Sequence, residues 1–172
     1  MEIRELEKKD SSILIKMLAK DYIEVKTNPN LGVILRLKKP SRKKEAIWAK
    51  NLYTDILIGN IIYNIAMENG KIVGICYVEK SDVPDSEISH VGVLGIEVAI
   101  QYRSRGIASK LLEHTIKECK GKFDILEVSV FANNEVAKHL YKKFGFRKWG
   151  IAPGYVKRNG RYIDLEYMCL KL

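Results

Sequence analysis

The apolar residues change their period at Gly59-Asn60, and that change limits what the chain can fold into. Before it they recur at helical spacing, as Ile13, Leu14, Met17 and Leu18, then as Ile47, Trp48, Leu52 and Ile56 on one face. After it come two β-rich runs, Ile61–Glu68 and Lys71–Glu79, joined by Asn69-Gly70. That dipeptide accepts the left-handed backbone of a two-residue hairpin turn. A chain that switches period in this way must lay helices against a sheet rather than build either layer alone.

The punctuation supports the same division. Ile3–Leu6 reads as a short strand, and Asp10 or Ser11 caps the helix that follows. Asn28-Pro29-Asn30 breaks that helix, and Ser41 after Pro40 caps the second. A polar loop, Ser81–Ser89 with Pro84, leads to a third long run, His90–Ile100. Ser104–Lys120 is strongly amphipathic, with Ile107, Ala108, Leu111, Leu112, Thr115, Ile116 and Cys119 inward. Phe123–Phe131 is a strand and Asn134–Phe144 a helix closed by Gly145. The last strands, Arg147–Val156 and Tyr162–Lys171, turn at Arg158-Asn159-Gly160. The order β-α-α-β-β-β-α-β-α-β-β describes a mixed α+β layer structure, and residues 1–172 show no linker, so one domain is expected.

Composition excludes several classes. No stretch approaches the roughly 18 apolar residues of a membrane-spanning helix. Met1-Glu2-Ile3-Arg4 carries charge with no apolar segment behind it, which points to an intracellular, cytoplasmic protein. Cys76, Cys119 and Cys169 form no Cys-x-x-Cys pair and have no histidine at ligand spacing, so no metal is expected and small buried hydrophobes are. The net charge of +9 favours anionic partners. Seven basic residues (Arg36, Lys38, Lys39, Arg42, Lys43, Lys44, Lys50) stand against Glu45 in one run, read as a solvated helix face.

The segment richest in chemistry runs from Val98 to Leu112. An apolar strand ends, a short loop carries Arg103 and Arg105, and Gly106 and Ala108 are small where a long helix begins. Helix N-termini present unpaired N–H groups and about half a positive charge. Small residues let an anion approach them closely. The alternative is a plain strand-to-helix turn with a glycine for geometry, and Arg-x-x-Gly-x-Ala alone leaves both readings open. The segment is neither a Walker loop nor the three-glycine dinucleotide fingerprint.

Further on stands Asn134-Glu135-Val136-Ala137-Lys138-His139-Leu140-Tyr141, followed by Gly145-Phe146. Taken with Arg103, Gly106 and Ala108, and with the Asn69–Gly74 hairpin, the chain resembles the GNAT superfamily of acyl-CoA-dependent N-acyltransferases over nearly its whole length. The family's loop pattern is Arg/Gln-x-x-Gly-x-Gly/Ala, and its later helix reads Asn-x-x-Ala-x-x-Leu-Tyr before Gly-Phe. The resemblance implies a mostly antiparallel central sheet of about seven strands with four helices on its faces. It implies acetyl-CoA as cosubstrate and a primary amine, on a small molecule or a protein, as acceptor.

The same resemblance implies roles for particular residues. Ile96, Glu97 and Val98 would part from the neighbouring strand and pair with the pantetheine arm. Arg103, Ser104, Arg105, Gly106, Ile107, Ala108 and Ser109 would wrap the pyrophosphate. Asn134 would hydrogen-bond the pantetheine, and Tyr141 would lie beside the thioester sulfur. A phenol at pKa about 10 is a weaker acid than a thiol near about 8.5, so Tyr141 suits hydrogen-bond donation better than obligatory acid catalysis.

Candidates for the base are Glu97, whose direction depends on a bulge expected nearby, and Glu79 and His90. The position at which histone-type members carry a glutamate is Gly92 here. His90-Val91 resembles members of the phosphinothricin, polyamine and amino-acid type. Trp48 and Tyr53 read as core or acceptor-pocket residues, His114 and His139 as helix-surface residues. Tyr155 and Tyr162 read as closing the acceptor side or packing in a homodimer. Two rival functions remain: an idle acyl-CoA-binding member, raised by the missing base, and a nucleic-acid-binding module, raised by the charge alone.

Overall fold

The computed structural model describes residues 1–27, 41–80 and 86–172. The expected break at Asn28-Pro29-Asn30, the Arg36–Lys39 part of the basic run and the Pro84 turn lie outside these residues. The elements follow in the order β1 (Glu2–Glu5), α1 (Ser11–Thr27), α2 (Arg42–Leu57), β2 (Ile61–Glu68), β3 (Lys71–Lys80), β4 (Val91–Val98), α3 (Ile107–Cys119), β5 (Ile125–Phe131), α4 (Glu135–Lys143), β6 (Arg147–Arg158) and β7 (Arg161–Lys171). The described residues thus hold the four helices and seven strands expected.

The strands form one sheet in the order β1-β2-β3-β4-β5-β7-β6. Only β4 and β5 are parallel, and they pair over three residues alone, Val91 with Ile125, Gly92 with Leu126 and Val93 with Glu127. The other pairs are antiparallel. Asn69-Gly70 and Asn159-Gly160 both adopt the left-handed backbone expected of two-residue hairpin turns.

Two cores form on opposite faces of the sheet. On one, Ile107, Leu111 and Leu112 of α3 and Tyr141 of α4 pack with Cys76, Val78, Leu94, Val98, Leu126, Val128 and Val130. On the other, Leu14 and Met17 of α1 and Leu52 of α2 pack with Tyr63, Ile65, Ile72 and Ile75. This second cluster takes no residue from β5, β6 or β7 among the described residues. Ile47, expected inward on α2, is 51% exposed, because Ala49, Leu52, Trp48 and Ile56 already occupy the inward face.

The entry to α1 also departs from expectation. Neither Asp10 nor Ser11 acts there as the expected helix cap. The Asp10 carboxylate accepts from Arg4 Nη1 and Nη2 at 2.7 and 2.9 Å and from the Glu7 N–H at 2.9 Å, while the Ser11 hydroxyl donates to the Lys8 carbonyl. The buried carboxylate thus clamps β1 to the turn before α1. The Arg4 guanidinium holds its pKa below the usual carboxylate value.

Asp10→Asn is expected to cost about 1–3 kcal/mol at neutral pH through loss of the charged hydrogen bonds. Because the folded pKa is depressed, the contribution of Asp10 is present above the unfolded value near about 4 and fades as pH falls through the folded one. Denaturant unfolding of parent and variant at pH 7 and pH 3 measures this. The gap between them should shrink at pH 3, and a constant gap contradicts the clamp.

Candidate active site

Strand β4 and the loop behind it build the site. After Val93 no residue of β5 pairs with β4, so Leu94–Val98 leaves one edge of its backbone open. On its other edge β4 pairs with β3 without interruption, from Gly74 opposite Val98 to Lys80 opposite Gly92. The bulge expected near Glu97 is therefore absent from this ladder. The Ala99 N–H donates to the Val73 carbonyl, on the β3 side. Strand peptides alternate sides, so the peptide groups of Ile96 and Val98 turn toward the open edge. Buried peptide groups are normally paired, so a run of them facing a gap marks a place for another chain or ligand.

At the end of β4 the backbone turns sharply. Ser104 and Gly106 both have positive φ, 60° and 76°. These two residues push the helix start to Ile107, three residues later than its periodicity predicts. No side chain caps α3, and its first backbone bond runs from the Lys110 N–H to Gly106. The N–H groups of Ile107, Ala108 and Ser109 have no partner among the described residues, and Ser104–Gly106 is exposed. Left-handed residues beside an uncapped helix N-terminus form an anion-binding concavity.

The two arginines do different work. Arg103 Nε donates to the Val98 carbonyl at 2.8 Å, tying the loop to the open end of β4. Arg105 pairs with Glu68 at 2.8 Å and lies over the Tyr102 ring. Its charge is therefore partly balanced.

The expected residues divide by face. Ile96 and Val98 turn toward α3, on the side of Cys76. Glu97 lies opposite Ile75 and Glu79 opposite Val93, so both carboxylates share the α1–α2 face. Tyr141 is buried on the α3 side, its ring against Phe146. Burial, with Cys76 and Tyr77 adding to it, pushes its phenol well above the usual value. Asn134 caps α4, its Oδ1 accepting from the Ala137 N–H at 3.1 Å, while its amide Nδ2 has no protein partner among the described residues. His90 sits before β4, beyond the point where β4 and β5 close together. It is roughly 20 Å along the strand from Ile96.

Sequence reasoning missed two features. Tyr63 and Tyr77 stack on the α1–α2 face with ring centroids 5.4 Å apart and planes 6° apart. The Tyr77 ring lies across Gly95, where a Cβ would come within 2.3 Å of Tyr77 Cζ. Glycine thus lets a phenol cover β4 at its open stretch. Burial above all, then Glu79 and Glu97, raises the Tyr77 pKa, so this phenol stays protonated. The second feature is Lys138, buried inside α4. Its ammonium donates to the Ala132 carbonyl at 2.5 Å and pairs with Glu135 at 2.6 Å, bracing the turn that presents Asn134.

A family model described as the acetyltransferase (GNAT) family matches residues 34–146. The L-amino acid N-acetyltransferase AaaT of Escherichia coli is 36% identical over 106 residues, covering 60% of this chain and 64% of that protein. The match thus spans less than two thirds of that relative's length. The acetyltransferase of GNAT family from Streptococcus pneumoniae superposes with a TM-score of 0.82 at 27% identity, covering 99% of each chain. A phosphinothricin acetyltransferase from Sinorhizobium meliloti, solved with AcCoA, shares the fold with a TM-score of 0.82 at 19% identity, covering 99% of this chain and 88% of that one.

Gly106→Ala tests the loop. A Cβ there meets no protein atom within 4 Å, so the cost of the substitution comes from the positive φ and not from a clash. Left-handed backbone costs a non-glycine residue about 1–2 kcal/mol. At about 2–4 °C per kcal/mol for a chain of this size, Tm should fall by about 2–8 °C. Any rise in Tm caused by a diphosphate ligand should also shrink. An unchanged melting curve contradicts the strained turn.

Proposed function

Because the chain belongs to the acetyltransferase (GNAT) family, we propose that it carries the acetyl group of acetyl-CoA to a primary amine by direct attack on the thioester. The observation that supports this best is the continuity of the open edge of β4 with the uncapped start of α3. One extended ligand with a diphosphate at one end would satisfy both. Acetyl-CoA supplies an activated acyl group on a thiol leaving group.

The residues of the chain then divide the work. The N–H groups of Ile107, Ala108 and Ser109, with Ser104 and Gly106 shaping the turn, hold the diphosphate. Arg103 keeps that turn fixed to β4. The open peptide group of Ile96 and the Val98 N–H pair with the amide-bearing arm, and the Asn134 Nδ2 donates from the other side. An N–H at this edge is placed to polarise the thioester carbonyl. Clamping both reactants contributes most of the acceleration, up to roughly 7–11 kcal/mol for well-oriented partners.

Tyr141 donates a hydrogen bond to the sulfur as charge builds there. Its raised pKa keeps it protonated and makes full proton transfer harder, so donation is its role. The acceptor enters from the α1–α2 face, where Glu79 and Glu97 favour a cationic amine over an anion. Protein N-termini, lysine side chains, polyamines and amino acids all offer such a group. The free α-carboxylate of an amino acid is the feature this face disfavours.

Acetyl-CoA at 100 times its Kd should add about 2.7 kcal/mol of stability, which raises Tm by about 5–10 °C. Free-thiol release that depends on an added amine establishes transfer. A Tm rise with no release across an amine panel indicates an idle acyl-CoA-binding member, and no Tm rise contradicts the proposal. Tyr141→Phe should lower kcat about 10- to 100-fold, the range of one hydrogen bond to a charged group, with little change in acetyl-CoA binding. Full activity in that variant removes Tyr141 from the mechanism.

A further inference from the structure

Tyr77 of β3 belongs to none of the motifs, yet its ring covers the open stretch of β4. It is paired with Gly95, and a Cβ on that glycine would come within 2.3 Å of Tyr77 Cζ, 2.5 Å of its Oη and 2.6 Å of its Cε1. A side chain at position 95 would push the ring off the strand. The ring is also held from the β2 side. Tyr63, paired with Tyr77 across β2 and β3, is buried and stacks on it, and both pack with the core under α1 and α2. On the other face of the sheet stands Tyr141, buried against Phe146. Cys76 and Tyr77, opposite Ile96 and Gly95, lie close enough for their fields to reach its phenol. Tyr77 and Tyr141 thus bracket the gap at the level of Gly95 and Ile96, one from each face.

The space at that level is bounded on three sides. Toward α3, Cys76, Leu94, Ile96 and Tyr141 belong to one packed cluster. Along the strands the gap closes where Val93 meets Glu127, two residues before Gly95 or about 7 Å away. Over β4 the Tyr77 ring is the lid. What stays open lies toward β5, where Val93 and Ser129 are exposed. An attacking amine needs that opening, because it must come within about 3–3.5 Å of the carbonyl carbon.

Resting on the transfer reaction proposed above, we infer that Tyr77 sets the length of the acyl group, admitting acetyl and rejecting longer acyl thioesters such as butyryl-CoA. With the sulfur beside Tyr141 and the carbonyl at the open edge of β4, the carbon beyond the carbonyl comes under the Tyr77 ring. An acetyl group ends there. The further methylenes of a butyryl group must either displace the ring from its stack with Tyr63 or fill the path of the amine. The first disrupts packing under α1 and α2, and the second excludes the nucleophile. Tyr77 acts here by its bulk and takes no part in proton transfer.

Amine-dependent thiol release from acetyl-, propionyl- and butyryl-CoA, measured on the full chain, tests the assignment. One methylene too many in an apolar pocket is worth about 10- to 200-fold, so the parent's kcat/KM should fall about 10-fold or more from acetyl to butyryl. Tyr77→Ala should raise the butyryl-to-acetyl ratio of kcat/KM about 10-fold or more, whatever happens to the absolute rates. Tyr77→Leu keeps apolar bulk beside Tyr63, should move the ratio the same way, and decides the matter if the Ala variant does not fold. Tyr77→Phe keeps the ring and should keep most of the discrimination. A parent that uses butyryl-CoA as well as acetyl-CoA overturns the assignment while leaving the transfer reaction intact, and so do Ala and Leu variants with the parental ratio. A Phe variant relaxed as far as the Leu variant traces the effect to the hydroxyl and contradicts a role for the ring. If the parent releases thiol from none of the three donors, the reaction and this assignment fall together.

Discussion

Everything at the candidate site depends on where β4 and β5 stop pairing. A parallel pair buried in a sheet normally continues its ladder, because each unpaired peptide group away from water costs free energy. Here the ladder stops at Val93 and Glu127, although β4 runs on to Val98 and β5 to Phe131. The pairs on either flank, β3–β4 and β5–β7, stay intact through the same rows. The two half-sheets are thus rigid, and the gap between them is framed on both sides by continuous ladders.

Several devices keep the gap useful. Arg103 ties the turn before α3 to the last carbonyl of β4. Gly74 allows α3 close to β3, since a Cβ there would meet Leu111 at 2.9 Å. That contact seats the start of α3 beside the end of β4. On the opposite side Lys138 braces the turn that carries Asn134. Each of these fixes an element end rather than a side chain in the cleft, which is how a backbone-built site is made rigid.

Local patterns made most of the architecture legible. Hairpin turns, caps and helical periods are properties of a few adjacent residues, so Asn69-Gly70, Ser41, Gly145 and the inward face of α3 could be placed from the chain alone. What stayed hidden depends on register and on approach between distant segments. A bulge between Ala66 and Met67 shifts the β2–β3 register by one, so Tyr63 faces Tyr77 instead of Cys76. No short window encodes that shift. The row joining Glu79, Val93 and Glu127 likewise requires the pairing of three strands. The helix starts at Ile107 and not at Ser104, because Ser104 adopts a positive φ that its residue type does not announce. The turn between β4 and α3 was recognisable from Arg103, Gly106 and Ala108, whereas the balancing of Arg105 by Glu68 was not, since 37 residues separate them.

The central claim is that the open edge of β4 and the start of α3 grip one ligand together. Amide hydrogen exchange, followed residue by residue with and without saturating acetyl-CoA, addresses it most directly. Exchange should slow together at Ile96, Val98, Ile107, Ala108 and Ser109, while β1 and β2 remain as they were. Unchanged exchange at these five amides, under conditions where the ligand is known to be bound, would contradict the account.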